Sequence, residues 1–479
     1  MPEPRSAPSA DGGARTFHIE THGCQMNDHD SERLAGLLVA DGLVPTGDIE
    51  AADVVVFNTC CIRENADNKL YGHLGNLKTL RERRPGMLIA VGGCLAQMDP
   101  GRIRQRASHV DVVFGTHNLA DAPALLRRAA ASGPVVEVLD GPPADAGPAR
   151  AEQQATAIGA VRDLPYAAWV TIQMGCDTSC AFCIVPSVRG GEVSRPLDDL
   201  VDEVRSLADR GVSEVTLLGQ NVNSYGRDIT RRSPLFPELL RRVGAVDGIR
   251  RVRFTSPHPK DLGPRVVEAM ADTPAVCNHL HLPLQSGSDA TLVAMRRGYT
   301  AERYLARLAA AREAVPDLAV STDLIVGFPG ETEEDFERTL AVVAEAAYDS
   351  AYTFVFSPRP GTRAAAMEDR FVPPEVTAER MERLRAVVER SALVRHRDRI
   401  GRTEEVLVEG PSKRDPSVTT GRTSQNKLVH FTPDDARAVP VGSFADVRVT
   451  DAARHHLGGE LVAVTARPRH RTLIPVAAG

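Results

Sequence analysis

The 479-residue sequence predicts an α/β protein: an N-terminal domain with a parallel sheet, a central partial (β/α)6 barrel and a small C-terminal all-β, OB-like barrel. Three observations support this. Short apolar segments alternate with amphipathic ones over 16–135 and again over 162–396, which is typical of βαβ units. The stretch 136–161 between them is rich in Ala, Gly, Pro and Gln, as expected for a linker. Over 397–468, short β segments separated by Gly, Pro and Asp replace the alternation.

In the N-terminal domain, each of the first three predicted strands ends in a cysteine. The strands are FHIETHGC, DVVVFNTC and MLIAVGGC, and the cysteines are Cys24, Cys60 and Cys94. Because parallel strands end at one edge of a sheet, where α/β domains bind ligands, we expect the three thiols to converge on a metal cluster. Cys60 is preferred over Cys61 because it directly follows the strand-terminal Asn-Thr. The alternative is that these cysteines are small buried hydrophobic residues.

The central domain contains six predicted strands, and polar clusters follow most of them. The strands are AAWVTIQM, EVTLLGQN, RRVRFTSP, HLHLPLQS, LAVSTDLIVGF and AYTFVFSP. Ligands of such barrels gather at the C-terminal ends of the strands. Candidate cofactor contacts there are Gln220, Asn221, Gln285 and Ser286. The alternative is that these amides and hydroxyls only cap loops.

Cys176, Cys180 and Cys183 form a CxxxCxxC motif just after the first strand of the central domain. With 8 cysteines in 479 residues, chance would produce this spacing with a probability of only about 0.002. Three thiolates can hold three irons of a [4Fe-4S] cluster and leave the fourth iron open. A zinc site would need a fourth ligand, which the motif lacks. We interpret the isolated Cys277 as structural.

Composition limits the class of protein and its partners. Hydrophobic residues make up 42% and charged residues 25%, as in ordinary globular proteins. Segment 1–15 is expected to be a disordered tail without a signal peptide, 469–479 a second tail, and the protein cytoplasmic with no membrane span. The net charge of −6 argues against non-specific coating of nucleic acid. The C-terminal module is locally basic, and Arg414, Arg422 and Lys427 are its candidate phosphate contacts, unless they only form a solvated face.

The CxxxCxxC motif after a first barrel strand resembles that of the radical S-adenosylmethionine (SAM) enzymes. The resemblance implies that the open iron chelates SAM, and that reductive cleavage yields a 5′-deoxyadenosyl radical. It makes Phe182, the aromatic residue before the last cysteine, a contact for the adenine. DLIVGFPGET resembles the family's fifth-strand motif, which adds Ile325, Gly327 and Glu331 as cofactor-binding residues.

From about Thr16 to Arg467 the chain resembles the methylthiotransferases of that superfamily, which place a three-cysteine cluster domain before the radical domain and an RNA-binding TRAM module after it. GCQMN, NTCCIRENA, HLPLQSGS and VLVEGPSKRDPSVTTGRTSQNKLVHF are similar to members acting on prenylated adenosine in tRNA. Members acting on a ribosomal-protein aspartate or on threonylcarbamoyladenosine typically have GCPKN or GCKVN instead. Cys61 departs from the usual pattern, in which another small residue follows the second cysteine.

This resemblance implies two [4Fe-4S] clusters and SAM as cofactors. One SAM methylates a sulfur on the N-terminal cluster, and a second supplies the radical that activates carbon 2 of the adenine. The implied partners are a tRNA anticodon stem-loop and a flavodoxin- or ferredoxin-like reductant, and a monomer is expected. Readings of a different class are a non-catalytic iron–sulfur RNA-binding protein or redox sensor, and a zinc RNA-binding module.

Overall fold

A computed structural model describes residues 15–60, 64–139, 141, 161–162, 164–433 and 439–468, without the side chains of 64–68. Cys61, most of the predicted linker and nearly all of both predicted tails lie outside the described residues. The chain divides into two compact units. The first comprises 1–163, 174–178 and 183–193, and the second 164–173, 179–182 and 194–479. The domain boundaries given above stay predictions. Among the described residues, no helix is both long and apolar enough to cross a membrane.

The N-terminal unit is built on a six-stranded parallel sheet with the order β2-β1-β3-β4-β5-β6. The strands are β1 (Thr16–Thr21), β2 (Val44–Pro45), β3 (Val54–Thr59), β4 (Leu88–Gly93), β5 (Val112–Phe114) and β6 (Val135–Glu137). The helices are α1 (Gln25–Ala40), α2 (Glu64–Arg83), α3 (Cys94–Met98), α4 (Pro100–Arg106), α5 (Ala122–Ser132) and α6 (Val185–Arg189), with a 3-10 helix at Thr116–Asp121. Strands β3 and β4 are buried throughout, which explains their continuous apolar sequence.

The second unit begins with the predicted strand–helix alternation. Its strands are β7 (Ala167–Thr171), β10 (Glu214–Leu218), β11 (Arg251–Phe254), β12 (His279–His281), β13 (Ala319–Val326) and β14 (Ser350–Val355), with the short β8 (Gln173–Met174) and β9 (Val193–Ser194) after β7. Its helices are α7 (Leu197–Asp209), α8 (Arg227–Thr230), α9 (Phe236–Gly244), α10 (Pro264–Asp272), α11 (Asp289–Ala294), α12 (Ala301–Ala314), α13 (Glu333–Ala346) and α14 (Pro374–Arg397). Short 3-10 helices lie at Val222–Ser224, Pro259–Asp261, Ala364–Ala366 and Glu368–Arg370.

All six predicted strands of the central domain are present and pair in parallel, which confirms a partial (β/α) barrel. They fall into two three-stranded sheets, β11-β10-β7 and β12-β13-β14. An isolated bridge between Val252 and Val276 joins β11 to the segment before β12. One apolar core, made mainly of Leu and Val with seven Phe and Tyr side chains, fills the space between these strands and the surrounding helices.

The predicted C-terminal all-β module is a closed five-stranded barrel with the order β15-β16-β17-β19-β18. Its strands are β15 (Thr403–Pro411), β16 (Thr419–Thr423), β17 (Leu428–Phe431), β18 (Phe444–Ala452) and β19 (Leu457–Ala466). Two arginines of β11 attach it to the central domain. Arg251 donates to the Arg422 carbonyl at 2.7 Å, and Arg253 donates to the Thr423 carbonyl at 2.8 Å.

Candidate active site

The three N-terminal cysteines leave adjacent strands at one edge of the parallel sheet. Cys24 caps α1 after β1, Cys60 follows β3, and Cys94 begins α3 directly after β4. Strand β3 pairs with both β1 and β4. The side chains of Cys24 and Cys60 hydrogen-bond to each other, and Cys60 and Cys94 are only 1% and 4% exposed. The sheet therefore brings these thiols to the edge that the sequence predicted, while their role as metal ligands stays a prediction.

Two glycines allow this close approach. Gly23, with φ +146°, precedes Cys24, and a Cβ there would lie 2.5 Å from the Cβ of Cys60. Gly93, with φ +94°, precedes Cys94, and its Cβ would lie 2.5 Å from the Thr59 carbonyl oxygen. Both positions also have backbone angles that L side chains rarely adopt. The Gly-Cys pairs in the sequence thus follow from the crowding at the ends of these strands.

A buried polar network fixes the start of α1 against β3. The Asn27 amide donates to the Asn58 side-chain oxygen at 3.2 Å and to the Thr59 carbonyl at 3.1 Å. Asn58 returns a hydrogen bond to the Asn27 carbonyl at 2.8 Å. The Cys24 thiol donates to Asn27 Oδ1 at 3.4 Å. Asn27 therefore orients the first cysteine, although sequence reasoning did not single it out.

A buried arginine lies beside these thiols. Arg189 pairs with Asp30 at 2.9 Å, and their side chains are 8% and 14% exposed. Burial lowers the pKa of the Arg189 guanidinium, but the nearby Cys94, Asp30 and Cys24 outweigh it and hold that pKa above its ordinary value. The pKa of Cys24 lies below its ordinary value because Cys60 donates a hydrogen bond to it; burial opposes the shift and Arg189 adds to it. The site thus favours thiolates.

The segment that carries Arg189 leaves the CxxxCxxC motif and packs within the N-terminal unit. Ile184 and Val188 form an apolar cluster with Cys94. The Thr116 hydroxyl donates to the Val188 carbonyl at 2.5 Å. Helix α6, which starts two residues after Cys183, is therefore held against the end of β4.

The first cysteine of the motif lies in a tight backbone turn. The Cys176 amide donates to the Gly190 carbonyl at 3.0 Å, and its sulfur lies 2.7 Å from the Thr178 hydroxyl. Gly175 before it has φ +70°, and a Cβ there would lie 2.0 Å from the Gly191 carbonyl oxygen. Cys176 and Cys183 belong to the first unit and Cys180 to the second. The mutual geometry of the three thiols stays a prediction.

Cys180 accepts a hydrogen bond from a buried arginine of the second unit. Arg297 Nη1 lies 3.3 Å from the Cys180 sulfur. The same guanidinium donates to the Tyr299 hydroxyl at 3.1 Å and to the Pro283 carbonyl at 3.4 Å. Burial lowers the pKa of Arg297, but Tyr299 and Cys180 hold it above the ordinary value. Arg297 is therefore a buried cation that fixes the position of the Cys180 side chain.

Two predicted cofactor contacts, Phe182 for the adenine and Ile325 of the fifth-strand motif, lie in one apolar cluster. Phe182 and Ile325 are partly buried and pack with Met295, Phe328 and Phe356. The two residues come from positions far apart in the chain. Their partial exposure leaves an apolar face that suits one side of a flat base.

Glu331 holds the GFPGET turn. Its Oε2 accepts from the Gly327 amide at 2.8 Å and from Arg380 at 3.0 Å. Burial raises the pKa of Glu331, although these two donors oppose the shift. Its Oε1 is buried without a hydrogen bond among the described residues. Gly327 has φ +75°, and a Cβ there would clash with Thr377 at 2.2 Å.

Two buried amide oxygens, one at the start of β8 and one three residues after β10, have no hydrogen bond among the described residues. Asn221 Nδ2 donates to Asp261 at 2.9 Å, but Asn221 Oδ1 is buried and has no hydrogen bond among the described residues. The same holds for Gln173 Oε1, which sequence reasoning missed. Gln220, which directly precedes Asn221, is half-buried. Buried polar atoms normally have partners, so these oxygens fit a polar ligand such as SAM.

Gln285 and Ser286 occupy the turn after β12. The Gln285 carbonyl accepts from the Ile325 amide at 2.9 Å, and its φ is +69°. The Ser286 hydroxyl lies 3.2 Å from that of Thr339 and is fully buried. The turn brings Gln285 beside Ile325, whereas Ser286 is engaged in holding the turn itself.

The three predicted RNA contacts differ in exposure. Arg414 is exposed, and Arg422 is 41% exposed with an ion pair to Glu409 at 2.9 Å. The Lys427 side chain is only 4% exposed, and its Nζ pairs with Asp349 at 2.6 Å. The structure therefore does not support a phosphate contact by Lys427, because the amine is buried against the central domain.

Arg189 and Arg297 are the main site residues that sequence reasoning missed. Their only local signal is an arginine in a segment bounded by glycine, VPSVRGG and MRRGYT. Arginines in such segments are usually solvated, so the sequence alone gave no reason to choose them.

Three family models match the chain. The radical SAM superfamily matches residues 170–343, the uncharacterized protein family UPF0004 residues 16–115, and the TRAM domain residues 397–462. Among solved structures, the radical S-adenosylmethionine methyltransferase TsrM from Kitasatospora setae has a TM-score of 0.53 at 15% identity, covering 74% of this chain and 77% of TsrM. This likeness shows a shared fold.

Curated relatives match nearly the whole chain. A protein of Streptomyces viridosporus is 52% identical, over 94% of this chain and 88% of its own length. One of Acidothermus cellulolyticus is 51% identical, over 97% and 92%. Each of these two relatives is named tRNA-2-methylthio-N(6)-dimethylallyladenosine synthase. A Mycobacterium marinum relative, 50% identical over 95% of this chain and 88% of its own length, has the same name with the suffix 1.

Proposed function

Because the chain belongs to the tRNA-2-methylthio-N(6)-dimethylallyladenosine synthase family, whose members are radical SAM methylthiotransferases, we propose that it methylthiolates carbon 2 of N(6)-dimethylallyladenosine next to the anticodon of tRNA. The observation that carries the proposal is the grouping of Cys24, Cys60 and Cys94 at one sheet edge beside Arg189. A sulfur-inserting enzyme needs a sulfur-bearing site in addition to its radical site. The aspartate- and threonylcarbamoyladenosine-modifying alternatives are not favoured, because the relatives compared above carry the name of the dimethylallyladenosine enzyme.

The radical SAM family implies a [4Fe-4S] cluster and SAM. Cys176, Cys180 and Cys183 would hold this cluster, and we assign a second cluster to Cys24, Cys60 and Cys94. Thiolate sulfur is the usual ligand of such clusters. In each set a buried arginine lies beside a cysteine: Arg297 beside Cys180, and Arg189 beside Cys24 and Cys94. When bound, these groups supply the one-electron chemistry that an aromatic C–H bond requires, since that bond has no usable acidity.

The chain's own residues position and shield the reactants. Arg297 holds Cys180 through a hydrogen bond, and Arg189 balances negative charge at the N-terminal thiols. Phe182 and Ile325 offer an apolar surface to the adenine of SAM. The orphaned oxygen of Asn221 can accept from a donor of SAM, such as its amine or a ribose hydroxyl.

The tRNA is bound in part by the C-terminal barrel. The exposed Arg414 and the half-exposed Arg422 suit contacts to phosphates, and we remove Lys427 from this set because it is buried. An unpaired anticodon loop presents bases that a protein can stack and read. A flavodoxin- or ferredoxin-like donor supplies the electrons, and the enzyme acts as a cytoplasmic monomer.

The central test is nucleoside analysis of tRNA from a deletion strain. We expect the 2-methylthio mark to disappear and the unmodified dimethylallyladenosine to accumulate, with complementation by the wild-type gene. Cys24→Ala and Cys176→Ala should fail to complement, whereas Cys277→Ala, a buried cysteine outside both sets, should complement. Loss of a mark on a ribosomal protein instead would contradict the proposal.

The assignment of two clusters has its own test. Reconstituted wild-type protein should bind about eight irons per chain, and a variant lacking the three N-terminal thiols about four. That variant should still release 5′-deoxyadenosine from SAM under reducing conditions. Equal iron in the two proteins would contradict the second cluster, and cluster-replete wild type that cleaves no SAM would favour a sensor.

A further inference from the structure

We propose that Glu20, His22 and His73 form a binding site for one divalent metal ion of the zinc type, separate from the cysteine sets. Glu20 and His22 lie at the end of β1, and His73 lies in α2, all within the N-terminal unit. One ligand atom from each residue lies within 4.8 Å of the others. His73 is 51 residues from His22 and 53 residues from Glu20, so folding alone brings it to the other two.

The distances are close to those of a tetrahedral zinc site. Glu20 Oε1 lies 3.5 Å from His22 Nε2 and 2.8 Å from His73 Nδ1. Bonds to zinc of about 2.0–2.2 Å place tetrahedral ligand atoms roughly 3.3–3.5 Å apart. Of the two distances to Glu20, the one to His73 has to lengthen by about half an ångström. Its side chain is 42% exposed, so it has room to turn.

The second observation is an imidazole nitrogen that lacks a hydrogen bond. His22 Nε2 is buried without a hydrogen-bond partner among the described residues, and the His22 side chain is only 10% exposed. This nitrogen lies 3.5 Å from Glu20 Oε1, which is longer than an ordinary N–H···O hydrogen bond. A metal ion between the two groups would satisfy both.

Phe57 contacts both imidazole rings, and the chemistry of the three ligands favours zinc over magnesium or calcium. Phe57 stacks on His22 with an interplanar angle of 9° and meets His73 edge-on at 84°. Two imidazoles and one carboxylate suit zinc and related d-block ions, whereas magnesium and calcium prefer oxygen ligands. The exposure of His73 leaves an entry path and a position for water. The ion would join α2 to the strand that leads into Cys24.

The test compares zinc binding by iron–sulfur-reconstituted wild type, His73→Ala and the control His455→Ala, whose side chain is exposed in the C-terminal barrel. All three chains keep every cysteine, so binding of zinc to thiols cancels in the comparison. Equilibrium dialysis with metal analysis should find one more zinc per chain in wild type and H455A than in H73A. The affinity lost should exceed the about 10–100-fold that removal of an outer-shell partner costs.

Glu20→Gln provides an independent measurement, because it keeps an oxygen that can accept from His73 but removes the charge. Zinc should raise the thermal unfolding temperature of wild type and H455A, and leave that of E20Q and H73A unchanged. Equal zinc content in wild type and H73A would overturn the proposal. So would a zinc-dependent shift in melting temperature that is the same in wild type and E20Q.

Discussion

Lys427→Met distinguishes a structural lysine from an RNA-binding one. Lys427 belongs to a basic stretch of the C-terminal barrel that the sequence predicted to contact phosphates. In the structure its Nζ lies 2.6 Å from Asp349 Oδ1, and the side chains are 4% and 11% exposed. The other Asp349 oxygen accepts from the Val320 amide at 2.8 Å. The pair therefore joins the barrel to the end of the central domain.

The cost of the substitution follows from burial. Removing one partner of a buried ion pair costs about 3–5 kcal/mol, because it leaves the other charge uncompensated. Asp349 keeps the hydrogen bond from Val320 and some contact with water, so we expect the lower end, about 3 kcal/mol. At about 2–4 °C per kcal/mol for a domain of this size, the unfolding temperature should fall by roughly 6–12 °C.

The assay pairs thermal unfolding with tRNA binding measured at several salt concentrations. K427M should lower the unfolding temperature and leave the slope of log affinity against log salt unchanged. Arg414→Met should leave the unfolding temperature nearly unchanged, because a surface substitution costs little stability. It should reduce the magnitude of the salt slope by about 0.9, because one phosphate contact is lost. The double variant K427M with Asp349→Leu should recover part of the stability, because an apolar pair replaces the ions. A slope that falls by about one in K427M, with unchanged melting, would refute the reasoning.

Three further substitutions test the thiol environment. Arg297→Met removes the cationic donor that lies 3.3 Å from the Cys180 sulfur. Because a nearby positive charge favours the reduced cluster, we expect a more negative midpoint potential for the cluster in the CxxxCxxC loop, measured by EPR. An unchanged potential would contradict this. In a chain without the CxxxCxxC thiols, Arg189→Met should likewise lower the midpoint potential of the proposed N-terminal cluster, and Arg189→Lys should restore part of it. Equal potentials with arginine, methionine and lysine at position 189 would exclude a charge effect. Gly175 has φ +70°, and the Cβ of alanine there would lie 2.0 Å from the Gly191 carbonyl oxygen. Gly175→Ala should therefore lower the free energy of unfolding by more than about 1 kcal/mol and reduce the iron bound through Cys176. An iron content and a melting temperature equal to those of wild type would show that the loop adapts.

The strands could be predicted from the sequence because a buried strand is a short run of mainly apolar residues. In β3 and β4 every residue is buried, and the runs VVVFNT and LIAVGG are continuous and apolar. Cys60 and Cys94 directly follow such runs, and Cys24 comes three residues after β1. These positions predict the sheet edge on which the cysteines lie, because parallel strands share one direction. This explains why the placement of Cys24, Cys60 and Cys94 at one sheet edge could be predicted from their spacing.

The buried charges could not be predicted in the same way. Arg189 meets Asp30 across 159 residues, and Arg297 meets Cys180 across 117. Lys427 meets Asp349 across 78 residues. No local pattern marks such partners, and a lone basic residue in a polar segment is far more often solvated. The local sequence around these arginine and lysine residues therefore predicts exposed side chains. In the folded protein, partners distant in sequence hold the same side chains as buried cations.

Helix α6 links Cys183 to the N-terminal thiols within one unit. Arg189, beside Cys24 and Cys94, lies six residues after Cys183 in the same unit. Six fully extended residues reach at most about 22 Å, and the helical turn of α6 shortens this to roughly 12 Å. Since Val188 also packs on Cys94, the last thiol of the CxxxCxxC motif is tethered within that reach of the N-terminal set. In the proposed reaction, α6 therefore keeps the last CxxxCxxC thiol near the thiols that are proposed to hold the second cluster.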